Sequence, residues 1–293
     1  MSTVNCQLNI LLMEIFYEIK PLRKRLSALR KQGKKIGFVA TMGALHDGHA
    51  SLVEASNRDN DITVVSVFVN PTQFNNPDDL AKYPRDLQAD IKLLEYNEAD
   101  ILFAPSETEM YPEEDNRQFE LGAVAEVMEG KYRPGHFNGV CQIVSKLLSI
   151  VEPDNAYFGQ KDFQQIAVIR AMVRKYMRDF KGKIVSCPIK READGLALSS
   201  RNQLLTPEQR VSALLISKTL FKAKEMYDNG STQAQITDYI KKSIATDANL
   251  CLEYVEIADR DTLQPIASEK PENAVICITV YDGKVRLIDN ILL

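Results

Sequence analysis

Two of the three histidines in this chain, His46 and His49, stand three positions apart in A-T-M-G-A-L-H-D-G-H-A-S-L, residues 40–52. A turn that leaves a strand and opens a helix presents unpaired backbone N–H groups, and the helix dipole adds roughly half a positive charge. Gly43 and Gly48 omit side chains where a phosphate must approach the backbone. Two imidazoles there can donate hydrogen bonds to phosphate oxygens, more strongly if protonated, and so stabilise a phosphoryl group under attack. Zinc would need further ligands. Only His136 remains and no cysteine pair lies near, so no metal site is expected. The stretch is not a P-loop, which would end in G-K-[ST]. Two histidines satisfied at a helix cap form the competing reading, ranked below the functional one because both stand beside two glycines.

Three further clusters have the right chemistry. F-G-Q-K-D-F-Q-Q (158–165) places Gly159 after an apolar strand, with Lys161 as a point charge for phosphate. L-A-L-S-S-R-N (196–202) offers two hydroxyls and the multi-donor fork of Arg201, enough to close over a triphosphate. F-V-N-P-T-Q-F (68–74) supplies Asn70 and Gln73 for a small polar substrate. Each alone is matched by a plain reading as polar cap or solvated loop. K-Y-P-R (82–85) and G-K-Y-R-P-G-H-F (130–137) are less specific still, the latter a basic loop suited to anions.

These clusters need elements to hold them. Ile36 to Ala40 reads as a short strand, Leu52 to Ala55 as the start of a helix, and Ile62 to Val69 as a strand apolar enough to be covered on both faces. Tyr83, Leu87, Ile91 and Leu94 share a helical face, and a strand follows at Asp100 to Phe103. Helices follow around 141–151 and 166–173, and strands around 156–158 and 183–187. This alternation predicts an α/β fold with a Rossmann-like, doubly wound parallel sheet over residues 1–188, and ligands at the carboxyl ends of its strands. The histidine turn would follow the first strand. Beyond residue 188 the pattern changes. Thr206-Pro207-Glu208-Gln209 is a capping box. Helices run to about 245, then strands at 252–257, 274–281 and 285–288, with Asp282-Gly283 as a hairpin turn. Residues 189–293 are therefore expected to form a smaller α+β lid domain.

In this order and spacing, T-M-G-A-L-H-D-G-H, F-V-N-P-T-Q-F, D-L-A-K-Y-P-R, M-E-G-K-Y-R-P-G-H-F-N-G-V, F-G-Q-K-D-F-Q-Q and D-G-L-A-L-S-S-R-N-Q-L-L resemble the pantoate–β-alanine ligase family, from about residue 14 to the C-terminus. The resemblance implies ATP-dependent condensation of (R)-pantoate with β-alanine through a pantoyl-adenylate, releasing AMP and pyrophosphate. It implies that Met42, Gly43, Ala44, Leu45, His46, Asp47, Gly48 and His49 line the ATP, with His49 as proton donor and His46 as phosphate partner. Gly159, Gln160, Lys161 and Asp162 would hold nucleotide and phosphates together with Leu198, Ser199, Ser200 and Arg201, and Lys190 would add a backbone contact. The catalytic set is then His46, His49, Lys161 and Arg201. Gln73 and Gln165 would bind pantoate, Gln73 close to the β-alanine site. Mg²⁺ would arrive with ATP, held by phosphate oxygens and water because no carboxylate cage is evident. A homodimer is also implied. Two departures are visible: Ala40 stands where relatives often have proline, and Gln160 where they often have glutamate. Neither removes a charge the chemistry needs.

Composition narrows the classes. The chain has 293 residues, 45% hydrophobic and 26% charged, with a net charge of −4, which disfavours an extended nucleic-acid surface. Five scattered cysteines suit a reducing cytosol. The N-terminal apolar run carries no basic flank or cleavage site, no stretch reaches the ~20 apolar residues of a spanning helix, and a cytoplasmic protein is expected. Residues 1–12 have no counterpart in the family pattern. The alternatives are a nucleotidylyltransferase of the same superfamily, disfavoured by S-S-R and F-V-N-P-T-Q-F, and a catalytically dead nucleotide-binding protein, disfavoured by both histidines, Lys161 and Arg201.

Overall fold

The computed structural model describes residues 13–74, 77–268 and 272–293. The readings made of Cys6 and of the 1–12 extension lie outside the described residues. Six parallel strands form the larger sheet: β1 (Glu14–Phe16), β2 (Ile36–Thr41), β3 (Ile62–Val67), β4 (Ile101–Phe103), β5 (Asn155–Gly159) and β6 (Lys183–Cys187), in the order β1-β4-β3-β2-β5-β6. The short edge strand β1, paired with β4, was not expected. It makes the strand before the histidines second in the chain rather than first.

The continuous apolar runs sit where both faces are covered. Phe38 and Val39 of β2, and Val64 and Val65 of β3, are fully buried, each worth about 1.5–3 kcal/mol over an exposed position. Helix His136–Val151 lies against one face and helix Asp47–Asp59 against the other. The strand order reverses between β2 and β5, so a crevice opens beyond their carboxyl ends. The residues following those two strands are the histidine turn and Gly159–Asp162.

The smaller sheet is antiparallel, in the order β7 (Leu250–Asp259), β8 (Ala274–Asp282), β9 (Val285–Leu292). Helices Pro207–Asp228 and Gln233–Ile244 cover it, with Ile236, Ile240, Ile276 and Val280 fully buried between. Thr206 caps the first helix as its sequence requires, in a reciprocal box with Gln209. The hairpin turn lies one residue later than expected. Asp282 pairs with Val285, so Gly283 and Lys284 form the loop, Gly283 at φ +57°.

The two sheets are fastened by buried polar contacts. Arg191 forms a bidentate pair with Asp289 at 2.6 and 2.9 Å. Asn290 donates to the carbonyls of Gln160 and Lys161 at 2.9 and 3.0 Å. Arg286 reaches back to Glu129.

Candidate active site

The histidine turn is built differently from the phosphate cradle its sequence suggested. The N–H groups of Ala44 and Leu45 donate to the buried carboxylate of Asp90 at 3.2 and 2.7 Å. Asp90 occupies the place of the expected anion, and burial nevertheless pushes its pKa up despite those two bonds. Gly43 is required by φ +82° and by Asp90, whose Oδ2 lies 2.9 Å from where a Cβ would stand. Gly48 makes room for the His46 ring, 2.7 Å from its missing Cβ. Both glycines therefore shape the turn itself, and Gly48 also lines the cleft beside the two rings.

What remains for a ligand is the imidazoles. Gly48 N–H donates to His46 Nδ1 at 3.1 Å, and His46 N–H to His49 Nδ1 at 3.3 Å. His46 thus caps helix Asp47–Asp59, so the plain reading of these histidines is also correct. An acceptor at Nδ1 places the proton of each neutral ring on Nε2. Burial, then the Lys161 ammonium, lowers His46 to about 4. Burial, then His46 and Lys161, lowers His49 to about 3. Near neutral pH the pair presents two uncharged Nε2–H donors with ring centroids 4.2 Å apart, not imidazolium ions.

Both rings line a single cleft with Met42, Lys161, Asp162 and Gly159, and with Lys190 and Leu198–Arg201. A Cβ at Gly159 would meet nothing within 4 Å, so space is open where that strand ends. Segment 190–198 folds back on itself through an antiparallel Arg191–Ala197 bridge and a Leu198 N–H bond to the Lys190 carbonyl at 3.0 Å. Ser200 Oγ then donates to the Ala44 carbonyl at 3.1 Å, which ties the hydroxyl cluster to the histidine turn across 156 positions of sequence. Ser199 caps the short helix Ser200–Leu204, as its plain reading required. Gly43, Ala44, Leu45, Asp47 and Gln160 of the expected nucleotide set are not among the cleft-lining residues. Gln160 turns instead to Asn290.

Gln73 and Gln165 line the same cleft. Gln73 Nε2 contacts Met42 Sδ at 2.9 Å, and a thioether is a weak acceptor that a substrate oxygen can displace at little cost. Asn70, expected to read substrate, lines the cleft too but is almost wholly buried. It holds the loop through bonds to Gln73 Oε1 and the Gly139 carbonyl, and accepts from Tyr111. Gln164, beside Gln165, is structural, bonded to the 124–129 backbone.

Three supporting residues escaped the sequence reading. Asp90 lies 45 positions from Leu45, Asn290 lies 129 from Lys161, and Glu129 lies 157 from Arg286. No local spacing could have linked them. Among the described residues no group of three His, Cys, Asp or Glu could hold a metal ion, and no helix is long and apolar enough to cross a membrane.

Comparison with known proteins adds a family. The Pantoate-beta-alanine ligase family model matches residues 14–292. The pantothenate synthetase of Bacteroides thetaiotaomicron is 56% identical over 280 residues, covering 95% of this chain and 98% of that protein. That of Porphyromonas gingivalis is 51% identical over 280 residues, covering 95% and 99%. The crystal structure of pantothenate synthetase from Thermus thermophilus superposes with a TM-score of 0.89 at 40% identity, covering 95% and 99%. That of the Francisella tularensis pantoate-beta-alanine ligase, complexed with beta-gamma ATP and beta-alanine, gives 0.79 at 40% identity, covering 96% and 97%.

Proposed function

Because the chain belongs to the pantoate-beta-alanine ligase family and joins pantoate to β-alanine with consumption of ATP, we propose that it does so through a pantoyl-adenylate, in the cleft described above. The observation that carries this reading is convergence: His46, His49, Lys161, Arg201, Gln73 and Gln165 come from distant segments and line the same space.

In the first step a pantoate carboxylate oxygen attacks the α-phosphorus and pyrophosphate leaves. The Nε2–H groups of His46 and His49 donate to α-phosphoryl oxygens, where charge builds. As neutral donors fixed by their own turn, they need no reorganisation at that moment. The phosphate charge itself raises their pKa values toward proton donation. Lys161 follows the charge moving onto the leaving group. Ser199, Ser200 and Arg201 hold the β- and γ-phosphates, with Mg²⁺ entering as MgATP. Gly159, Lys161, Asp162 and the Lys190–Leu198 pair wall the nucleotide. Gln73 and Gln165 hold pantoate so that its carboxylate faces phosphorus, and alignment of this kind is worth several kcal/mol. In the second step the amine of β-alanine, received near Gln73, attacks the acyl carbon and AMP departs.

Residues 1–188 act as the ATP- and pantoate-binding domain and residues 189–293 as the lid that brings Ser199 to Arg201 over the phosphates. The family resemblance supports a homodimer. The use of ATP and the free cysteines Cys141, Cys187, Cys251 and Cys277 support a cytoplasmic setting. The test is omission. Protein is incubated with ATP, Mg²⁺, pantoate and β-alanine, each is left out in turn, and AMP is followed. Turnover of AMP only when all are present is expected. Pyrophosphate release without AMP after β-alanine is added would instead mark a nucleotidylyltransferase.

A further inference from the structure

A second cavity, of about 360 Å³, adjoins the cleft on the side of the smaller sheet, and the two share Lys161, Asp162, Ser199 and Arg201. Its walls carry five cations: Arg133, Lys161, Arg201, Lys284 and Arg286. Of its four carboxylates, Asp289 is already neutralised by Arg191 from outside at 2.6 Å, which leaves Glu129, Asp162 and Glu253. Five positive charges against three leave a surplus of two, facing a space that continues from the site assigned above to the β- and γ-phosphates.

The surplus is felt most at Arg133. Glu129 gives its close contacts to Arg286, at 2.7 Å, and lies 3.6 Å from Arg133. Burial, and next to it Arg201 and Arg286, work against the Arg133 charge, offset only by Glu129. Arg133 is half-buried, with His136 Nε2 at 3.2 Å as its other polar contact, and a guanidinium with only a distant share of one carboxylate gains from an incoming anion. Toward solvent the cavity ends at exposed Lys284 and Leu204, while Gln73 lines the first cleft and not this one.

We propose that this cavity receives the pyrophosphate released from ATP and is its way out to solvent, past Arg133 and Lys284. The step rests on the adenylate reading above. The bond between the α-phosphorus and its bridging oxygen breaks, and that oxygen leaves with the electron pair as part of pyrophosphate. The carboxylate oxygen of pantoate forms the new bond to the same phosphorus. Departure on this side leaves the Gln73 side open for β-alanine.

Exchange of labelled pyrophosphate into ATP, measured on the full chain with MgATP and pantoate and without β-alanine, reads this directly. Arg133→Gln should raise the half-saturating pyrophosphate ~10-fold, and Lys284→Glu, at an exposed position, about 3-fold. Release of AMP from preformed pantoyl-adenylate by β-alanine should stay within about 2-fold of the unaltered protein for both variants. If Arg133→Gln does not fold, judged by its melting curve, Lys284→Glu decides alone. Unchanged half-saturation in the folded variants would overturn the exit and leave the adenylate reading standing. Absence of exchange in the unaltered protein would overturn the adenylate reading and the exit with it.

Discussion

On one side of Lys161, His46 and His49 stand with their charge suppressed. On the other, Arg133 and Arg286 keep theirs and share one carboxylate, Glu129. Both regions are suited to phosphate, yet they are built on opposite terms. The turn commits its backbone donors to Asp90 and its Nδ1 atoms to its own N–H groups, leaving two neutral, fixed Nε2–H groups. The cavity holds full charges by crossing them. Burial pushes Glu129 up, but Arg286, Tyr254 and Arg133 together hold it down to about 2. Neutral donors pointed at a reacting centre stabilise charge that develops there. Standing charges attract an ion whether or not it reacts, so they suit binding and release.

The sharpest test of this contrast is at His49. His49→Ala should lower pantoate-dependent adenylation by ~10³-fold with the fold intact, in the range for losing one pre-aligned donor. His49→Gln, which can offer an amide N–H near the same place, should recover at least ~10-fold of that loss. Equal rates for the two variants would mean that proton transfer rather than hydrogen bonding is what His49 supplies.

The charged region should fail through stability instead. Glu129→Gln strips the carboxylate from between Arg133 and Arg286, and breaking a buried pair of this kind costs about 3 kcal/mol. Urea unfolding should show the loss as a lower midpoint at unchanged slope. A midpoint within error of the unaltered protein would remove Glu129 as a fastener of the two sheets.

Gln73→Ala separates the two ends of the cleft. Pantoate affinity should weaken ~10-fold, one hydrogen-bonding side chain's worth, while MgATP affinity is unchanged. Titration calorimetry that found pantoate affinity preserved would contradict the assignment of Gln73.

The smallest effect is on pH. Burial lowers His46 and His136 to about 4 and His49 to about 3, against about 6.5 in an unfolded chain. Between those values the unfolded state binds more protons, so stability present above pH 6.5 is lost as pH falls toward 4. Glu129 acts lower, losing its contribution as pH falls toward about 2. Unfolding followed at pH 7, 6 and 5 should show a gradual decline, shallower in His46→Asn. A flat profile would mean the histidines are not held neutral by the fold.

Much of this molecule was legible in the chain itself because its signals are local. The parallel strands β2, β3 and β5 announce themselves by unbroken apolar runs, and Thr206 with Gln209 by reciprocal capping chemistry. The residues of the cleft are equally plain as types and spacings. The three-residue strand β1 was hidden because an edge strand that short has no period to read. The hairpin turn slipped by one because both Asp282-Gly283 and Gly283-Lys284 satisfy turn preferences, and register with β7 and β9 decides between them.

The amino-acid sequence by itself determined which groups could do chemistry: two histidines, a lysine, a serine–arginine pair and two glutamines, carried on an α/β frame. Tertiary structure alone decided their charge state and their use. Whether an imidazole is a cation or a neutral donor depends on burial and on Lys161 from the turn after β5, and a turn's N–H groups are open or occupied according to whether Asp90 reaches them. Both are effects of solvent exclusion and of distance through space, which separation along the chain does not encode.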